Sequence, residues 1–169
     1  ITLTAATTIG GTGTLTLGGI ISGDAFDLTK VGAGTLVLSG ENAYSGATVI
    51  SVGTLRIQDA LGLGTAGGGV SVANGATLDL DGTFDVGEEA VALATGSTLS
   101  SSSGENSISG AVVITGTSTV DVDGTSLALS GVISGANLTK TGTGILTLSA
   151  DNTYTGATLI SAGTLTLSG

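Results

Sequence analysis

Short stretches of strict alternation return along this chain at intervals close to 20 residues or multiples of it. They read TLTL at 14–17, TLVL at 35–38, TLRI at 54–57, TLDL at 77–80, TVDV at 119–122 and TLTL at 164–167. Each places aliphatic side chains on one face of a strand and Thr, Asp or Arg on the other, the pattern of a half-buried strand. Leu15, Leu36, Leu55, Leu78, Leu99 and Val120 follow one another at 21, 19, 23, 21 and 21 residues, and Leu127, Leu146 and Leu165 at 19 and 19. A second track runs through Ile9, Leu28, Ile50, Val72, Leu93 and Ile114. Hairpins join neighbouring strands through two to five residues; a coil of about 20 instead lets equivalent strands stack in parallel. The spacing therefore predicts an all-β fold, a right-handed parallel β-helix (β-solenoid) of about seven or eight rungs of roughly 19–23 residues, with 1–169 as one segment. Val120 and Leu127 are only seven residues apart, so the register between Leu99 and Leu127 is left open and an extra short strand is expected there.

No apolar stripe of period 3.6 persists, and Gly, Ser and Thr are spread throughout, which argues against helices. With 31 glycines, no proline, no tryptophan and four Tyr or Phe in all, the interior must be built from Val, Leu, Ile and Ala. Such similar side chains suit a narrow repetitive core. Net charge is −10, from 13 acidic and 3 basic residues. Lys30, Arg56 and Lys140 cannot form the basic stripe that nucleic acid or an anionic lipid surface requires. The absence of cysteine excludes disulfides and thiolate metal sites. No apolar run approaches the ~20 residues of a membrane-spanning helix, so direct membrane insertion of this segment is not expected. Beginning at Ile1 without a leader and stopping inside a repeated phrase, the sequence reads as a piece of a longer polypeptide.

One phrase recurs: GENAYSGATVI at 40–50, GENSISGAVVI at 104–114 and ADNTYTGATLI at 150–160. Asn42, Asn106 and Asn152 are expected at corners with left-handed backbone, and Gly46, Gly110 and Gly156 where the chain resets before the next strand. The aliphatics that follow, Ile50 and Ile160 among them, should point inward onto counterparts one rung away, about 4.8 Å along the axis. Aligned at an offset of 110, residues 28–55 and 138–165 share 18 of 28 positions, and ISG precedes both copies, at 21–23 and 133–135. Duplication of a multi-rung unit accounts for this.

LTKVGAGTLVLSGENAYSGATVISVGTL at 28–55 and LTKTGTGILTLSADNTYTGATLISAGTL at 138–165 closely resemble the autotransporter-associated β-strand repeat, also called the passenger-associated transport repeat. A degenerate copy spans 97–120, with Ile108 in place of tyrosine; in the last copy Ile145 replaces threonine. Leu36, Asn42, Tyr44, Gly46, Ile50, Leu55 and Leu146, Asn152, Tyr154, Gly156, Ile160, Leu165 carry the pattern. The resemblance implies a secreted, cell-surface passenger domain of a Gram-negative type V autotransporter, exported through the outer membrane by a C-terminal β-barrel translocator. In that family the repeat is associated with export and with a stalk that displays other regions. Expected partners are thus the neighbouring rungs of the parent passenger and its barrel; the alternative is adhesion or self-association through the solenoid face or ends, including host or bacterial surface ligands.

Catalysis is not expected. A histidine-activated serine is excluded for lack of histidine, and the carboxylates a β-helical polysaccharide lyase would cluster beside a base are not matched by lone Arg56 and two distant lysines. The sharpest polar feature is LDLDG at 78–82 against VDVDG at 120–124. A 21-residue rung would align Asp79, Ser100 and Asp121 in one outward column and Asp81, Ser102 and Asp123 in the next. Carboxylates about 10 Å apart cannot share one calcium ion, so no metal and no cofactor is expected. Threonine pairs that would suit ice binding are broken at most rungs, by Val37, Arg56 and Asp79 for example. Tyr44 and Tyr154 are expected over their own turns, Phe26 and Phe84 as loop or core fillers.

Overall fold

The computed structural model describes residues 1–168, which form stacked parallel coils of a β-solenoid of about eight turns, with no helix among them. Each turn passes three sides. The first carries seven strands, Thr7–Gly10, Leu28–Val31, Thr48–Ile50, Val70–Val72, Val91–Leu93, Val112–Ile114 and Ile133–Gly135. The second carries eight, from Thr14–Leu17 through Thr54–Ile57 and Thr77–Asp81 to Thr158–Ile160. The third holds a two-stranded sheet, Ser22–Gly23 with Ala43–Tyr44, then an irregular pass in which Thr65 N donates to Tyr44 O, then five strands from Phe84–Asp85 to Thr164–Leu167. Every ladder is parallel, and Leu15, Leu36, Leu55, Leu78, Leu99 and Val120 are successive partners on the second side. Rung length is set by the corners, since each ladder bond fixes which residue of one turn lies above its predecessor.

Alternation supplies the core. Leu36, Leu55, Leu78 and Leu99 are buried to 1% exposure or less, as are Leu127 and Leu146. At about 1.5–3 kcal/mol for each fully buried aliphatic, the columns also fix register, because a one-residue slip would turn every inward side chain outward.

Two features of the register differ from the sequence expectation. Val120 and Leu127 are not separated by an extra strand: they occupy successive sides of one rung, and Leu127, Leu146 and Leu165 form their own column on the third side, beneath which lies Asn106. In the first-side track the partner of both Ile9 and Ile50 is Lys30, while Leu28 belongs to the column of Thr7, Thr48 and Val70.

The same shift rotates the duplicated unit. Five register steps carry Leu28 through Thr48, Val70, Val91 and Val112 to Ile133 on the first side. Leu138 begins the next strand, on the second side, where it pairs with Ser118. The second copy is therefore placed one side further round the solenoid than the first: Leu28–Val31 and Thr35–Leu38 lie on sides one and two, Leu138–Thr141 and Ile145–Leu148 on sides two and three.

Candidate functional site

Although the two copies face different directions, their internal devices are the same. Lys30, 2% exposed, sends its ammonium to Val31 O (2.9 Å), Gly32 O (2.7 Å) and Val52 O (3.0 Å). Lys140, fully buried, donates to Thr141 O, Gly142 O (2.9 Å) and Ala162 O (3.4 Å). Period-two alternation turns Lys30 inward with Leu28, so its stem takes an aliphatic place in the stack while its head holds a corner whose carbonyls converge. Gly53 and Gly163, with φ of 75° and 70°, provide the left-handed backbone that this corner requires. Burial lowers the pKa of both lysines; for Lys140 the charges of Asp121 and Asp123 oppose this.

Asn42 and Asn152 are not in left-handed conformation, since Ala25 is the one non-glycine with positive φ among the described residues. Their work is done by the amide. Asn42 Oδ1 accepts from Ile21 N (2.8 Å) on the rung before and its Nδ2 donates to Gly62 O (2.8 Å) on the rung after. Asn152 Oδ1 likewise accepts from Ile133 N (2.8 Å). A side-chain amide can bridge successive rungs where the ladder lapses, which a backbone turn cannot do. Asn106 differs, bonding within its own turn to Ser101 Oγ and Ser103 O. Nor do Gly46, Gly110 and Gly156 have positive φ; a Cβ on any of them would strike the rung beneath, at Phe26, Glu89 and Ala136 respectively. Tyr44 lies inside rather than over its turn, fully buried, with its hydroxyl 2.7 Å from Thr48 Oγ1; Tyr154 and Thr158 repeat the pair at 2.8 Å. Burial, opposed by the Thr48 bond, pushes the Tyr44 phenol up to about 12. Phe26 and Phe84 pack partly buried against the core. Ile50 is buried, whereas Ile160 on the last turn is 50% exposed.

Of the two acidic columns the first stands in the expected register, Asp79 beside Ser100 and Ser100 beside Asp121, and the second does not. Arg56 is not alone: Nε donates to Asp79 Oδ2 at 2.7 Å, and Nη1 lies 3.8 Å from Asp81 Oδ2. Asp79 is 3% exposed and so does not sit on a solvated face. A register shift after Leu80 pairs Asp81 with Ser103 instead of Ser102. Bonds from Ser103 Oγ and Gln58 Nε2 hold the Asp81 carboxyl below the usual range, with the Arg56 charge adding to them. Asp121 accepts from Thr141 Oγ1 at 2.6 Å, and Asp123 is exposed. Among the described residues no three carboxylates converge as metal ligands would. The arrangement is a surface clasp tying three rungs together.

Replacing Arg56 by Ala should therefore cost about 1–3 kcal/mol, less than a fully buried pair because the guanidinium side is 39% exposed. Urea unfolding of Arg56→Ala checks this, and adding Asp79→Asn should recover part of the loss.

Glu89 was not singled out by sequence. It occupies, buried, a corner position that Gly68 and Gly110 hold on the adjoining rungs, and burial raises its pKa against an opposing interaction with the Gly69 N–H. The signal was a non-glycine in a glycine column, visible only once the register is known.

Residues 28–57 and 138–167 match the passenger-associated-transport-repeat, so the chain carries that repeat twice on one solenoid. Over 170 residues the chain is 39% identical to an adhesin, the BmaC autotransporter of Brucella suis biovar 1 (strain 1330). That alignment covers 94% of this chain and 5% of the relative, so the chain spans a small part of that protein's length. No solved structure matches the chain.

Proposed function

We propose that this segment is a non-catalytic stalk of a secreted autotransporter passenger, assisting export across the outer membrane and displaying other regions at the bacterial surface. The observation that carries this reading is that the lysine corner and the asparagine bridge of the two matched repeats join one rung to the next, while the Tyr–Thr pair fastens residues four apart across a corner. None of them presents chemistry to a substrate. A solenoid grows by local contacts, so folding outside the cell can favour outward movement of the chain through the C-terminal β-barrel of the parent.

In a passenger containing this segment, Gly46→Val should lower the amount of protease-resistant protein at the cell surface several-fold, since the new side chain meets the backbone of Phe26 and Asp27. Undiminished surface protein with unchanged protease resistance contradicts the stalk reading. A second reading, participation of the solenoid side in adhesion or self-association, is favoured by the adhesin relative.

A further inference from the structure

The charges of this chain are distributed unevenly around the solenoid. On the first side the outward column runs Thr8, Thr29, Val49, Ser71, Ala92, Val113 and Ser134 through seven rungs. The corners that lead from this side to the second read GTG at 11–13, GAG at 32–34, SVG at 51–53, ANGA at 73–76, ATGS at 94–97, TGT at 115–117 and AN at 136–137. None of the 13 acidic residues falls in these strands or corners; Arg56 lies outside them and Lys30 is turned inward. A chain of net charge −10 thus has one longitudinal strip with no surface charge.

The outward side chains of the strip are small or aliphatic throughout, Thr, Ser, Ala and Val. Val113 and Val52 are 42% and 48% exposed on it, and a shallow groove lined by Ala47, Gly69, Ala90, Ala92 and Ala111 runs beside Val113 along its other edge, where the exposed Asp27 carboxylate accepts from Ala47 N. Seven rungs at about 4.8 Å and a width of three strand residues plus the corner give roughly 600 Å² per copy, so two facing strips would bury about 1,200 Å², the lower end of specific interfaces.

We propose that this strip is a self-association surface, on which a second copy of the chain packs face to face about a two-fold axis. Charge selects the occupant. A basic partner would take the acidic sides, whereas two chains of the same net charge can touch without desolvating carboxylates only where both lack them. Small side chains let two such sheets approach closely, and a closed two-fold pairing brings the middle of the column, Ser71, against its own copy. This inference deepens the reading in which the solenoid side takes part in self-association and rests on it.

Sedimentation of the chain over a range of concentrations tests it. Wild type should pass from monomer to dimer, more readily at higher salt because screening weakens the repulsion between acidic sides. Ala92→Glu should weaken dimerisation at least tenfold, while Ala128→Glu, in the outward column of the third side, should leave it unchanged. Circular dichroism of both variants reports that the fold is retained. As an independent reading, Ser71→Cys in this cysteine-free chain should oxidise to a covalent dimer and Ala128→Cys should not. A monomer at all concentrations overturns both the inference and the self-association reading. Association that Ala92→Glu leaves intact overturns the assignment to this strip alone.

Discussion

Leu55→Asp should remove most or all of the stability of the turns around it, a loss of about 5 kcal/mol or more. Leu55 is fully buried between Leu36 and Leu78, and its neighbour Arg56 points to the outer face, where it is engaged by Asp79. The substitution deletes an aliphatic side chain and puts a carboxylate into a column of leucines, while the ammonium of Lys30 is already engaged by the corner carbonyls. Because each rung contacts mainly its neighbours, the damage should be local before it is global. Hydrogen exchange should show protection lost first in the strands Thr35–Leu38, Thr54–Ile57 and Thr77–Asp81, with Val112–Ile114 and Ser126–Leu129 protected longer. Leu55→Met, which conserves volume and polarity, should cost under about 1.5 kcal/mol. Equal behaviour of the Asp and Met variants would mean that the columns do not hold the fold.

That experiment is aimed at the part of the architecture most readable in the sequence. Side-chain alternation has period two, and the parallel ladder repeats it once per turn, so Leu36, Leu55 and Leu78 declare both their facing and their stacking. The Arg56–Asp79 pair was equally available, since the 23-residue step that relates Leu55 to Leu78 also relates Arg56 to Asp79. It escaped notice because charges on an outward face are ordinarily solvated.

What resisted reading was the third side. Its early strands are two residues long, too short for a pattern, so the seven-residue gap between Val120 and Leu127 looked like a disturbance in one column when it is the step from one side to the next. The corners resisted for a different reason: Asn and Gly suggest backbone conformation by their general preferences, whereas Asn42 acts through its amide and Gly46 through the absence of a side chain. Both depend on what lies one rung below, which is 20 or so residues away in sequence. That the same devices work on two different pairs of sides shows that each repeat carries its own corner geometry and needs from its surroundings only a rung to stand on.

Lys30→Met isolates the device least expected inside an aliphatic column. Methionine keeps an unbranched apolar stem between Ile9 and Ile50 but leaves the carbonyls of Val31, Gly32 and Val52 without their shared donor, for an expected loss of about 2–4 kcal/mol. Lys140→Met should cost less, because its Ala162 contact is longer, at 3.4 Å, and the turn that supplies it is largely exposed. The pH dependence separates lost donors from lost packing. Burial lowers the folded-state pKa of Lys30 from 10.5, so below that value the unfolded chain binds more protons than the folded one, and wild-type stability should rise with pH across that interval. Lys30→Met should reduce the slope and the Lys30→Met, Lys140→Met double variant should flatten it further, as followed by urea midpoints measured at successive pH values. An unchanged slope in the double variant would show that neither ammonium is buried as described, and the corner would then be held by backbone alone.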